Sequence, residues 1–196
     1  MAEAAEFTIG AKANCSDGFC GEVSRVIIDP ATRTITHLVI EPKHRREPGR
    51  LVPVGLVDAT LGEVGLRCTL ADFGRLDVAD ETDQVQGRGE GVPDPTGRPP
   101  MGVPHPARVV VHDVVPLGEV EVGRGEPVHA LDGEIGRVEG FVVHPDDHRV
   151  THVLLQEGHF WGRKEVAIPV SAVTGYDGGI RLNITKKQIE ELPPVG

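Results

Sequence analysis

Residues 35–40 read Ile-Thr-His-Leu-Val-Ile, and residues 150–155, 115 positions later, read Val-Thr-His-Val-Leu-Leu. Apart from Thr-His each run is apolar and rich in β-branched residues, which predicts a strand buried on both faces. The flanking sequence shows that the recurrence is not local. The same spacing sets Gly10 against Gly125, Asp17-Gly18 against Asp132-Gly133, Gly21 against Gly136, Val23 against Val138 and Pro30 against Pro145. After a loop one residue longer in the second copy, Pro53-Val54 meets Pro169-Val170, Val57 meets Val173, Leu66 meets Leu182, Thr69 meets Thr185 and Leu76 meets Leu192. Matches kept in one order over a whole unit predict one fold used twice.

The matched residues have local work to do. Asp-Gly is the favoured pair for a tight hairpin, because Gly takes positive φ freely and Asp tolerates it. The glycine three residues later, Gly21 or Gly136, predicts a bulge that lets the strand coil. A long strand follows, over residues 23–28 or 138–143, and stops at Asp29-Pro30 or His144-Pro145, since Pro cannot continue a ladder. Leu51-Val-Pro-Val54 and Val166-Ala-Ile-Pro-Val170 predict edge strands or corners. Thr185 and Gln188 stand at capping-box spacing before a short helix that ends at Pro193-Pro194, while Gly74 limits the matching helix of the first copy to one or two turns.

This succession, with Thr-His-Leu-Val-Ile-Glu (36–41 closing the strand that opens at Ile35) or Thr-His-Val-Leu-Leu-Gln (151–156), a Val-Pro-Val or Ile-Pro-Val corner and a terminal Thr-Lys-Lys-Gln-Ile-Glu-Glu-Leu (185–192), resembles the PRC-barrel superfamily. The second half is the closer match. The resemblance implies a mainly β chain of two tandem small PRC-like β-barrels, each ending in a short helix or turn and joined by a Gly/Pro-rich linker. The expected divisions are 1–78 for the first barrel, 79–107 for a flexible acidic linker, and 108–196 for the second barrel with an extra N-terminal strand, Arg108 to Pro116, covering one of its edges. It also implies docking onto a larger protein assembly and supplies no catalytic residue, because the superfamily shares a scaffold and not a site.

The formal charge is −10 and aromatic residues make up 4% of the chain. An acidic body repels phosphate at long range and argues against general nucleic-acid binding. The amino-terminal stretch lacks an apolar core segment and no run has the length of a membrane-spanning helix, so a cytoplasmic protein without membrane insertion is expected. Small cores of Val, Ile and Leu are marginal at this size, which makes a homo-oligomer one expectation. Cys15, Cys20 and Cys68 are odd in number and have no counterparts in the second copy; Cys15 and Cys20 flank a turn, where a redox pair is the alternative to two reduced residues. No enzyme and no cofactor are expected, as the serines lie outside any nucleophile elbow.

Candidate sites fall where the two copies differ. One loop carries Lys43, Arg45, Arg46 and Arg50; its counterpart carries Phe160, Trp161, Arg163 and Lys164, the composition of an interface hot spot. A protein partner is therefore the leading expectation, with a ribosome- or RNA-associated assembly factor working through residues 43–50 as the alternative. A metal, redox or small-molecule sensor is the third reading. His37, His44, His152 and His159 recur in pairs, yet two ligands per copy fall short of a metal site. Trp161→Ala is expected to leave the melting temperature nearly unchanged and to speed release of a bound partner; a strongly lowered melting temperature would make Trp161 a core residue instead.

Overall fold

The structure, a computed structural model, describes residues 5–42, 48–60, 63–85, 108–113, 115–157 and 164–192. The chain is mainly β. Its strands are β1 (Ala5–Thr8), β2 (Lys12–Cys15), β3 (Gly18–Asp29), β4 (Thr34–Glu41), β5 (Arg50–Pro53), β6 (Val57–Thr60), β7 (Glu63–Leu66), β8 (Asp80–Val85), β9 (Arg108–Asp113), β10 (Val120–Gly123), β11 (Pro127–Ala130), β12 (Gly133–Val143), β13 (Val150–Glu157), β14 (Lys164–Pro169), β15 (Val173–Gly175) and β16 (Ile180–Leu182). Two short helices, α1 (Leu70–Phe73) and α2 (Lys186–Glu190), follow β7 and β16.

Two seven-stranded sheets share one strand order. The first runs β5-β4-β3-β2-β7-β6 and the second β14-β13-β12-β11-β16-β15. Each includes one parallel pair, β2 with β7 and β11 with β16, at matching registers (Ala13 opposite Val64, Val128 opposite Ile180). The bulges expected near Gly21 and Gly136 are present: the register slips between Ala13 and Asn14 in one sheet and between Val128 and His129 in the other. A Cβ on Gly21 would collide with the Glu41 carbonyl of the neighbouring strand, so that glycine is fixed by close approach of two backbones.

The seventh strand of each sheet comes from the other half of the sequence. β1 pairs antiparallel with β12, Ala5 opposite Val143, and β10 pairs with β3, Val120 opposite Ile28. These two ladders are the same ladder, 115 residues apart. The chain then crosses back: Ile9 N–H donates to the Glu139 carbonyl at 2.8 Å, and the next residue, Gly10, donates to the Val23 carbonyl at 2.6 Å. That change of sheet in one step requires a positive φ, which Gly10 supplies at 98° and Gly125 at 79°. A second reciprocal contact lies at the starts of β4 and β13, where Ile35 N–H donates to the His148 carbonyl at 3.1 Å and Val150 N–H to the Arg33 carbonyl at 2.8 Å. Arg33 and His148, the residues whose carbonyls turn toward the opposite half, are the non-glycine residues with positive φ among the described residues, 57° and 54°.

The core follows from this exchange. Phe7, Val122, Phe141, Ile28, Leu38 and Ile180 belong to one continuous buried cluster that draws on both sheets. The halves expected to be separate, 1–78 and 108–196, thus each build six strands of a sheet and borrow the seventh, and residues 1–79 and 115–196 form one compact unit.

Residues 80–114 form the other unit, and here the expected elements change. The segment assigned to the linker begins with a strand: β8 pairs with β9 over six residues, from Asp80 opposite Asp113 to Val85 opposite Arg108. β9 is thus not the extra edge strand of the second sheet but half of a two-stranded sheet with β8. Asp80 to Val85 is poor in apolar residues and reads as linker, yet its backbone groups are paired by a β-branched partner that no local signal announces. The rest of the expected linker lies outside the described residues.

Cutting the polypeptide once between residues 86 and 107 is therefore expected to leave both fragments associated. They should elute together on size exclusion at the native mass and unfold in one transition; fragments that separate without denaturant would contradict the strand exchange.

Candidate functional site

Each half presents the same construction at the end of its sheet that carries the short helix. The hairpin aspartate holds the helix start: Asp17 Oδ1 accepts the Leu70 N–H at 2.7 Å, and Asp132 Oδ1 accepts the Lys186 N–H at 2.9 Å. Capping boxes close both first turns, Thr69 with Asp72 and Thr185 with Gln188. Hydrogen bonds from Thr69 hold the exposed Asp72 carboxyl below the usual range. The Asp-Gly pair thus serves both the hairpin and the docking of a helix some 53 residues downstream, a duty invisible in the local sequence.

What stands around that construction differs between the halves. In the first, Phe19 is 40% and Leu70 39% exposed, with the Leu70 side chain lying over Gly18 beside Phe19. The residues in the same places of the second half are Glu134 and Lys186. There they rim a cavity of about 170 Å³ together with Glu190, over a floor of Ile135, Leu155, Val166 and Ile189. Phe73, 5% exposed, takes the place of Ile189 in the first half. Sequence reasoning does not single out Phe19 or Leu70, since an apolar residue beside a turn carries no local mark of exposure.

The same end of the first sheet gathers all three cysteines. Cys15 and Cys68 bring their Sγ atoms to 4.0 Å, and Cys20 Sγ donates to the Ala13 carbonyl at 3.2 Å. All three are free thiols. Burial, then the neighbouring thiols Cys20 and Cys68, push the Cys15 thiol up, and burial pushes Cys20 up.

The other candidates are distributed as follows. Lys43, Arg45, Arg46, His44, His159, Phe160, Trp161 and Arg163 lie outside the described residues, and Lys164 opens β14 opposite Glu157. Arg50 is engaged within its own half, where Nη1 donates to the Leu76 carbonyl at 2.9 Å. His37 and His152 occupy equivalent places in β4 and β13, each with Nδ1 3.1 Å from the hydroxyl of the preceding threonine. These rings are tied into the strand pattern. In the first half the arrangement extends across the exchanged strand: Thr36 Oγ1 donates to Glu119 Oε2 at 2.5 Å, and His37 Nδ1 stands 3.8 Å from the same oxygen. Among the described residues no group of three or more His, Cys, Asp or Glu is arranged to hold a metal ion. None of the described helices is long and apolar enough to cross a membrane.

Asp17→Ala and Asp132→Ala each remove the acceptor for a helix-start N–H, and each is expected to destabilise the protein by about 0.5–2 kcal/mol, the range for a lost helix cap. Urea unfolding checks this, and a change below that range in both variants would show that the cross-links are not stabilising. Comparison with known proteins gives a match of residues 124–189 to the family model described as PRC-barrel domain. No curated protein matches the chain.

Proposed function

We propose that this chain, with a PRC-barrel domain at residues 124–189, is a non-enzymatic protein-docking module: two barrels of duplicated origin, acting as an adaptor or assembly factor in the cytoplasm. Supporting the duplication are the common strand order of the two sheets and the equivalence of their registers at a spacing of 115 residues. Supporting the docking role is one observation above all. Where the first half presents the exposed apolar pair Phe19 and Leu70, the second carries the charged pair Glu134 and Lys186, its own exposed apolar residue at that turn being the single Leu131 in the place of Ser16. Because the frame beneath is the same, the difference is not imposed by folding. Aromatic and aliphatic side chains left half in water at one end of a rigid sheet are the ingredients of a protein contact, in which their remaining surface is removed from solvent.

The test writes the charges of the second half into the first. The double variant Phe19→Glu, Leu70→Lys is expected to keep the wild-type melting temperature and to lose partner capture from native lysate at least tenfold, with wild-type capture insensitive to nuclease. Capture by the variant at wild-type strength would reject this surface, and capture that nuclease abolishes would favour the RNA-associated reading over the protein adaptor.

A further inference from the structure

We infer that Cys15 and Cys68 form a reversible intramolecular disulfide, a thiol modification site that joins the end of β2 to the residue preceding the α1 cap. The sequence favours reduced residues at Cys15 and Cys20, with a pair between them as the alternative; the sulfur brought to 4.0 Å of Cys15 is that of Cys68. The two sulfur atoms are 4.0 Å apart. Their backbones are already held side by side, since the N–H of Ser16 donates to the Cys68 carbonyl at 2.9 Å and the Ser16 hydroxyl donates to the same oxygen at 3.1 Å. Bond formation then needs side-chain rotation and little backbone movement. Cys20 also neighbours Cys15, but its thiol is engaged in donating to the Ala13 carbonyl at 3.2 Å.

A second observation separates this cluster from ordinary packing. In the second half the backbone bond from Leu131 N–H to the Ile184 carbonyl, 3.0 Å, repeats the one from Ser16 to Cys68, and the residues in place of Cys15, Cys20 and Cys68 are Ala130, Ile135 and Ile184. The frame asks only for apolar side chains there. The first half answers with three sulfur atoms at one point.

Accessibility orders the chemistry. Cys68 is partly exposed and Cys15 only 7% exposed. The Cys68 thiolate attacks one sulfur of a low-molecular-weight disulfide, and the expelled thiolate takes up the proton that Cys68 released. Cys15, as thiolate, then attacks the Cys68 sulfur of the mixed disulfide. The second small thiolate leaves and takes up the Cys15 proton, so two protein thiols are oxidised and one external disulfide is reduced to two thiols. Because burial pushes the Cys15 thiol up, the second step is slow at neutral pH and quickens as pH rises. The product closes a loop between residues 53 apart and fastens α1, with Leu70 on it, to the sheet.

The experiment uses the full chain with oxidised glutathione at pH 8.5. Titratable thiols are expected to fall from three to one per chain, with a Cys15–Cys68 peptide in the mass map. The melting temperature should rise by roughly 5 °C and return with dithiothreitol. Cys68→Ser should abolish the link, and Cys20→Ala should retain it. A Cys15–Cys20 peptide, an intermolecular disulfide, a glutathione adduct that stops at Cys68, or three persistent thiols would each overturn the inference.

Discussion

Everything in the larger unit depends on two four-residue strands that do not stay with the sheets they precede. β1 lies on β12 and β10 lies on β3, and without them the long central strands would each show bare backbone groups and an uncovered row of apolar side chains. The exchange is enforced at Gly10 and Gly125, where a positive φ turns the chain from one sheet to the other in a single residue. It places Phe7, 1% exposed, among the side chains of the second half, and Val122, fully buried, among those of the first. Burying an aromatic side chain and a valine across the boundary is worth on the order of several kcal/mol, a sizeable part of the net stability of a domain. The PRC-barrel match begins at residue 124, just past β10, so the matched segment completes its sheet with a strand supplied from the amino terminus.

Within this near-symmetric frame the two junctions are secured by different chemistry. On the first sheet Arg25 of β3 forms an ion pair with Glu121 of β10, Nη1 to Oε1 at 3.2 Å, with both side chains largely withdrawn from water. The residue equivalent to Arg25 is Gly140, and there the backbone itself makes the approach: a Cβ at Gly140 would meet the Phe7 carbonyl at 2.5 Å and Thr8 Cα at 3.0 Å. One strand is thus held partly by charge and the other by close backbone contact. A side chain could not stand at Gly140 without moving β1.

The same economy governs the helix ends. Asp17 and Asp132 tie each hairpin to the helix that follows β7 or β16, so the surrounding side chains are carried on a rigid support. A support fixed by backbone geometry leaves the side chains above it free to diverge, and they have done so as an apolar pair in one half and a charged pair in the other. The cysteines follow the same rule one layer deeper, replacing Ala130, Ile135 and Ile184 without disturbing the hydrogen bond between the loops that carry them.

By itself the sequence determined the class and the internal repetition. The Asp-Gly turns, the bulges at Gly21 and Gly136, the stops at Pro30 and Pro145 and the Thr185 capping box are all set by φ preferences and hydrogen-bonding groups within a few residues of one another, and the structure has them in place. The tertiary structure alone decided which sheet received β1 and β10, that β8 pairs with β9, and that Cys15 faces Cys68. Residues 5–8 look the same in sequence whether they cover their own half or the other, because a four-residue strand encodes only its pleat. Partner choice is set by the direction in which Gly10 releases the chain and by the apolar gap awaiting Phe7, and both are properties of surfaces assembled from residues more than a hundred positions away.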